Sequence, residues 1–456
     1  MDLLGVPPER GRTAWLVDGL RAAIGDGRLP PDSRLPATRV LAGDLGVSRG
    51  VVVEAYQRLT DEGLLTGRTR AGTRVTARAS RPPADGVRPE TDRLRLPQRP
   101  APGIDLDLSP GVPDLSAFPR AAWLRAERAV LAEATTADLG YGDPRGNHRL
   151  RTELAAWLVR TRGVRAAADD IIVVSGVAQA LALLCQTSRA RGIDAWGMED
   201  PGSRGSRDEL RHWGVEPVPV PVDAQGLRVA ELAATGVAAV LLTPAHQFPT
   251  GVVLSPRRRL ALLEWPGLVV EDDYDAEHRY DRAPVAAVQA SAPERVAYCG
   301  SVSKSLAPGM RLGWLIPPRR LHADLVAAKH ASDLGNPALA QLILARLLAT
   351  GEHDRHLRTV RRRQRRHRDA LVAALREHVP AARVEGVAAG LHVLVTLPAG
   401  TDDLALAERI SAAGVRVQPL SWHRRLPGPP GLVIGYAAHP PDRLQEAVRR
   451  IAAALG

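Results

Sequence analysis

Residues 79–104 prevent this chain from folding around one core. They run from Ala79-Ser80-Arg81-Pro82-Pro83 to Arg99-Pro100-Ala101-Pro102-Gly103, rich in proline and without a lasting apolar period. Such a stretch reads as a semi-extended linker. It leaves an N-terminal unit at 1–78 and a body at 105–456. The body, at about 350 residues, exceeds what one simple core supports. It divides into a large part, about 105–333, and a smaller one, about 334–456.

In the N-terminal unit, Trp15, Leu16, Leu20 and Ile24 share one helical face that ends near Gly25-Asp26-Gly27. A second helix is expected from Thr38 to Leu45, a turn at Gly46-Val47, and a third helix capped by Ser48 and running through Leu59. Gly63–Thr66 and Thr73–Thr76 then alternate as two strands around a basic loop. This order of elements is a winged helix-turn-helix. Arg49, in the first turn of the third helix, can enter a major groove, where arginine pairs with guanine edges or grips phosphate. Arg34 and Arg39 flank it, and the wing arginines Arg68, Arg70 and Arg74 suit the backbone or minor groove of double-stranded DNA.

The body alternates strands and helices. Apolar strand-like runs lie at 171–174, 195–198, 237–242, 268–270, 296–298 and 312–316, with helical stretches such as 178–189, 204–213 and 256–264 between many of them. That pattern is an α/β body with a mostly parallel sheet. Helices dominate from about Leu334, followed by short strands at 391–397 and 432–436 and a last helix from Asp442, as expected of a small α+β part.

Composition narrows the function classes. Hydrophobic content of 45% and charged content of 24% are those of a soluble globular protein. No apolar run approaches a membrane span and the N-terminus lacks a signal pattern, so a cytoplasmic protein without membrane contact is expected. Cys185 and Cys299 both lie in apolar stretches and read as buried free thiols. The histidines, His423 included, show no metal-ligand spacing, so no metal is expected. A net charge of +11 favours a polyanionic partner.

Of the 61 Lys+Arg residues only Lys304 and Lys329 are lysine. An arginine-biased chain retains lysine where a guanidinium cannot act, and a Schiff base is such a case. Lys329, inside the helix-like 321–332, reads as a surface survivor. Lys304 stands in Ser301-Val302-Ser303-Lys304, with Arg311 seven residues on. Two further stretches belong with it. Ser175-Gly176-Val177 follows a strand and opens a helix, a place where backbone amides bind phosphate. Glu271-Asp272-Asp273-Tyr274-Asp275 ends another strand at the carboxyl edge of the sheet, where α/β proteins place ligands. An aspartate there can hold a pyridine nitrogen protonated, and a tyrosine can hold a phenolic oxygen.

Two resemblances follow from these residues. Arg34-Leu35-Pro36-Ala37-Thr38-Arg39, Leu41–Arg49, Glu54–Leu59 and Glu62-Gly63-Leu64-Leu65 resemble the GntR-type winged helix over about residues 12–77. The three body motifs, with Tyr141–Gly146 and Thr243–Gly251, resemble fold-type I, class I/II aminotransferases, which use pyridoxal 5'-phosphate (PLP). The resemblance implies Lys304 as the Schiff-base lysine, Asp272 as the pyridine-nitrogen partner and Tyr274 as the phenolate partner. It places Ser175, Gly176, Val177, Ser301 and Arg311 around the phosphate, adds Ser303 to the cofactor-binding residues, and brings Tyr141 to the phosphate from a neighbouring subunit. The fusion, with His246–Gly251 and Glu271–Asp275, resembles the MocR subfamily of transcription regulators, described as domain-swapped homodimers that sense PLP or an amine bound to it.

Three departures bear on function. Gly50 follows the recognition-helix arginine where many relatives have a polar residue. Ser203 stands where a ring-stacking aromatic is common. Val433 stands where many aminotransferases carry a carboxylate-binding arginine, a role that Arg207 or Arg424 would have to assume. The arginine-rich 355–368, at mixed helical phases, reads first as a solvated face of the long helix opening the small part and second as a further DNA contact. A ligand-responsive regulator is thus the first expectation. An aminotransferase with a subsidiary winged helix is the second, and a constitutive DNA-binding dimer with an empty body the third.

Overall fold

The computed structural model describes residues 5–68, 72–76, 103–280 and 285–455. They fall into two compact units, Met1–Arg99 and Pro100–Gly456. Most of the expected linker, and Arg70 in the wing, lie outside the described residues.

The first unit holds α1 (Arg12–Gly25), α2 (Thr38–Leu45) and α3 (Arg49–Asp61), then β1 (Leu65–Arg68) and β2 (Gly72–Val75). Leu16, Leu20 and Ile24 of α1 are buried with Leu41, Val52, Leu59 and Val75 in one core. Gly46, at φ 64°, turns the chain between α2 and α3, a left-handed position that favours glycine. Ser48 caps α3 by accepting a hydrogen bond from the Val51 amide at 3.4 Å. β1 and β2 pair antiparallel as the wing, with Leu65 opposite Val75.

The body opens with β3 (Leu106–Asp107), α4 (Arg120–Glu133), α5 (His148–Arg162), β4 (Ile172–Val174), α6 (Val177–Ala190), β5 (Ala195–Asp200) and α7 (Arg204–His212). It continues through β6 (Glu216–Asp223), β7 (Gly226–Leu227), α8 (Val229–Ala234), β8 (Ala239–Leu242), α9 (Pro256–Glu264), β9 (Leu268–Asp272), β10 (Val296–Ser301), β11 (Gly313–Ile316) and α10 (Arg319–Asp333). Strands β4 to β11 form an eight-stranded sheet in the order β4-β11-β10-β9-β8-β5-β6-β7. Its centre is parallel, and β11 runs antiparallel between β10 and β4. The parallel strands therefore end along one edge, and antiparallel β11 begins there.

The smaller part holds α11 (Ala338–Ala349), the long α12 (Glu352–His378), β12 (Arg383–Glu385), β13 (His392–Thr396), α13 (Asp403–Ala412), β14 (Val415–Arg416), β15 (Gln418–Pro419), β16 (Gly431–Gly435) and α14 (Pro441–Leu455). Its four-stranded sheet runs β12-β13-β16-β15.

Three features differ from the sequence reading. β3 pairs with β14, and Leu106 and Leu108 are buried among Leu371, Ile410 and Ile434, so the start of the stretch assigned to the large part packs with the smaller one. A long-range pairing of two residues leaves no local pattern. β6 was not among the expected strands; Pro217, Pro219 and Pro221 would ordinarily disfavour an interior strand. Their alternation puts all three missing donors on one edge, and the Arg228 amide donating to Pro221 O at 2.9 Å identifies that edge as the β7 side. The opposite edge remains free to pair with β5. Finally, Lys329 is fully buried rather than at the surface, donating to Asp333 at 2.8 Å.

Candidate cofactor site and nucleic-acid interface

Local geometry at the carboxyl edge of the sheet gathers the expected groups. Gly176 caps α6 at φ 90°, and a Cβ there would lie 3.4 Å from Arg311 Nη1. Glycine therefore lets the helix start and the guanidinium approach each other. Arg311 is held by donating to the Ser175 carbonyl. The Ser175 hydroxyl accepts from Asn336 at 2.8 Å, and the Ser175 amide donates to Gln179 Oε1, also at 2.8 Å. Gln179 in turn donates to Asp333, the partner of buried Lys329. A chain of polar contacts thus fixes the turn from beneath.

Gly176, Val177, Asp272, Tyr274, Ser301, Ser303, Lys304 and Arg311 all line one cavity of 330 Å³. Ser175 stands just behind this wall. Tyr141 does not join it: the ring is 94% exposed, so within its own chain it is not brought to the site.

Lys304 donates to the Gly111 carbonyl at 2.5 Å. Burial holds its amine below the usual lysine value, against the opposing pull of the Asp272 and Asp275 carboxylates. Gly111, at φ 81°, was missed by the sequence reading. A Cβ at that position would sit 3.2 Å from the lysine nitrogen. No local motif marks it, since it precedes Lys304 by most of the large part.

Asp272 ends β9 at the cavity floor. Its Oδ1 is buried without a hydrogen-bond partner. Burial, reinforced by Asp273 and Asp275, pushes its carboxyl up to about 7. Glu271 points the other way, accepting from the Val288 and Gln289 amides. Asp273 is locked by a buried pair with Arg162 (Nε to Oδ2, 2.6 Å) and accepts from Tyr298 at 2.5 Å. Burial and the nearby Asp275 carboxylate raise the Tyr274 phenol well above its ordinary value, so it stays protonated.

Around Tyr274 the fold assembles a group that sequence spacing did not suggest. His246, Asp275 and His392 are buried with potential ligand atoms within 4.8 Å of one another. His246 Nδ1 is already engaged, 2.8 Å from Asp275 and 3.1 Å from Tyr274 Oη. The arrangement is a polar clamp on the tyrosine.

Ser203 lines the cavity but is occupied in capping α7, accepting from the Ser206 amide at 3.2 Å. The aromatic rings lining the cavity are Phe248 and Tyr274. Val433 is buried in an apolar cluster with Leu394, Leu420 and Phe248. Arg207 donates to the His423 carbonyl at 2.8 Å and Arg424 to the Pro429 carbonyl; neither lines the cavity.

In the winged unit, Arg39 and Arg49 are exposed, and neither pairs with an acid among the described residues. Arg34 forms an antiparallel bridge with Arg74, and Gly72 leaves room for its guanidinium, since a Cβ there would lie 2.9 Å from Arg34 Nε. Arg74 donates to the Asp32 carbonyl at 2.8 Å. These two arginines are therefore braced on the wing, whereas Arg39 and Arg49 project freely. Arg68 is in β1; its side chain lies outside the described residues.

Comparison with known proteins agrees with this division. Residues 13–75 match the family of bacterial regulatory proteins of the gntR type, and residues 104–451 match aminotransferase class I and II. The probable rhizopine catabolism regulatory protein MocR of Rhizobium meliloti is 31% identical over 96% of this chain and 93% of its own. The pyridoxine biosynthesis transcriptional regulator PdxR of Corynebacterium glutamicum is 32% identical over 96% and 95%. Among solved structures, an archaeal alanine:glyoxylate aminotransferase superposes with a TM-score of 0.71 at 27% identity, covering 76% of this chain and 90% of that one. Since the regulators match across both units and the aminotransferase across the body alone, the chain belongs to the MocR subfamily of GntR-type transcription regulators.

Proposed function

We propose that this protein is a DNA-binding transcription regulator that holds PLP in its body and responds to PLP or to an amine that reacts with it. The observation that carries the reading is the convergence of Lys304, Asp272, Tyr274, Arg311 and the α6 start on one cavity. Two features support the fit. Asp272 Oδ1 is a buried acceptor in need of a donor, and a protonated pyridine nitrogen supplies one. The α6 start, with glycine at its cap and an arginine beside it, is a ready phosphate cradle. When bound, PLP supplies an aldehyde that condenses with amines and a ring that withdraws electrons.

In this reading Lys304 provides the amine that tethers the cofactor, and its depressed basicity keeps a share of it unprotonated. Asp272 holds the ring-nitrogen proton. Tyr274 donates to the phenolic oxygen, oriented by His246 and Asp275. Ser175, Gly176, Val177, Ser301 and Arg311 secure the phosphate, and Ser303 lines the cofactor cavity beside them. Tyr141, exposed in its own chain, reaches the site of a partner subunit in a domain-swapped homodimer. Arg49 and Arg39 read DNA, with Arg34, Arg68, Arg70 and Arg74 holding the backbone and Ser48 fixing the recognition helix. Residues 1–78, 79–104 and 105–456 act as reader, linker and sensor in the cytoplasm.

An aminotransferase retaining a subsidiary winged helix is the second reading, favoured by the same intact set of residues. Against it stands Val433, buried among apolar side chains where a substrate carboxylate would need a cation. Any transamination is therefore residual. A screen of amino acid and keto acid pairs for repeated turnover separates the two.

The test is an operator-binding titration with and without PLP, on the wild type and Lys304→Ala. PLP is expected to change the wild-type DNA affinity and to leave the alanine variant unmoved, with the borohydride-trapped chromophore lost in parallel. Equal DNA affinity in all arms would remove cofactor sensing, and a trapped adduct in the variant would remove Lys304 as the tether.

A further inference from the structure

The arginine-rich stretch expected to be a mixed, solvated face is sorted by α12 into two sets. Leu357, Val360, Gln364, His367 and Leu371 fill the buried side of the helix. Beside them three arginines turn back onto the protein. Arg361 donates to the Glu277 carbonyl, Arg363 pairs with Asp114 at 2.7 Å, and Arg368 is only 17% exposed. The others, Arg355, Arg358, Arg362, Arg365 and Arg366, are all exposed and fall on one face.

That face is not a salt-bridged surface helix. Arg355 pairs with Glu352 at 2.9 Å, and Arg365 lies 3.9 Å from Asp369. Arg358, Arg362 and Arg366, each four residues apart, have no acidic partner among the described residues. Like charges at this spacing repel by a few tenths of a kcal/mol per pair. A rigid helix rising about 1.5 Å per residue sets the three along roughly 12 Å. A stripe of this kind, on a chain of net charge +11, is unfavourable alone and is relieved by an extended polyanion.

We infer that the exposed face of α12 is a second DNA-contacting surface that grips phosphates without reading bases. Duplex DNA is the polyanion that the winged unit already recruits, so the inference rests on the DNA-binding reading. Arginine forks suit phosphate oxygens, and such contacts add affinity and salt dependence rather than sequence preference.

The test compares the full-length protein with R358Q/R362Q/R366Q and R358K/R362K/R366K on a fluorescent random-sequence duplex of about 40 base pairs, across about 50 to 300 mM KCl. Each lost phosphate contact lowers the slope of log affinity against log salt by about 0.9, so the glutamine variant is expected to lose about 2 to 3 from the slope. Its affinity should fall at least about tenfold at the lowest salt, and the lysine variant should restore both. Superimposed salt lines for wild type and glutamine variant overturn the inference while leaving DNA binding intact. A loss that lysine does not restore overturns it as well. Failure of the wild type to bind the duplex at low salt would instead overturn the DNA-binding reading, and the inference with it.

Discussion

At Asp272 the chain maintains a group whose free energy depends on what fills the cavity. The carboxyl titrates near 7 in the folded body against an ordinary 3.8, because burial and the neighbouring Asp273 and Asp275 oppose its charge. Between those two values the folded chain keeps a proton that the unfolded chain has released. The stability this contributes is fully present below the lower value and is lost as pH rises through the higher one. From about pH 5 to pH 8 the ligand-free wild type should lose on the order of 2–3 kcal/mol relative to Asp272→Asn. Urea unfolding of both proteins at the two pH values measures it; equal losses would mean that the Asp272 carboxyl already ionises normally. Single residues also mark how far the sequence was legible. That Lys304 shares one cavity with Asp272, Tyr274 and Arg311 was legible, because its neighbours in the chain carry the matching chemistry. Lys329 and Gly111 were not. What makes the first a buried ion pair is Asp333 one helical turn away together with the packing of α10 on α6, and what makes the second a site residue is a lysine far along the chain.

Elements with strong local punctuation were the ones read correctly. Gly46 and Ser48 bound the recognition helix by a left-handed turn and a side-chain cap, and both effects are local. Helix α12 shows the opposite limit: periodicity alone left its arginines at mixed phases, and only the packing of Leu357, Val360 and Leu371 assigned a buried side. β6 was hidden by prolines whose cost depends on which edge they face. The cap carries a measurable consequence. Ser48→Ala leaves one of the first amides of α3 without its partner and should destabilise the winged unit by about 1 kcal/mol, with Ser48→Asp or Ser48→Asn recovering most of it. Thermal unfolding of the full-length protein, followed through a probe in the first unit, reads the loss. No shift in the alanine variant would show that the 3.4 Å contact contributes nothing.

For the molecule as a whole, the two units matter together only if binding in one changes binding in the other. A ligand shifts an equilibrium between two states by no more than its difference in affinity for them. If PLP alters the affinity for duplex DNA by some factor, linkage requires that DNA alter the affinity for PLP by the same factor. Couplings of this kind are commonly about 5- to 150-fold. On the proposed reading the second half of the measurement is optical, because a Lys304 tether would give bound PLP an absorbance of its own. Titrating PLP into the protein with and without saturating operator should therefore shift the apparent Kd by the ratio found when operator is titrated with and without PLP. Matching ratios would establish that the reader and the sensor share one conformational equilibrium. A DNA affinity that responds to PLP while PLP affinity ignores DNA is thermodynamically inadmissible for one coupled species, and would point to a change in assembly between the two titrations. If both ratios equal one, PLP does not instruct the winged helix; control of transcription then enters through an amine that condenses with the PLP aldehyde and displaces Lys304, or the dimer binds DNA constitutively.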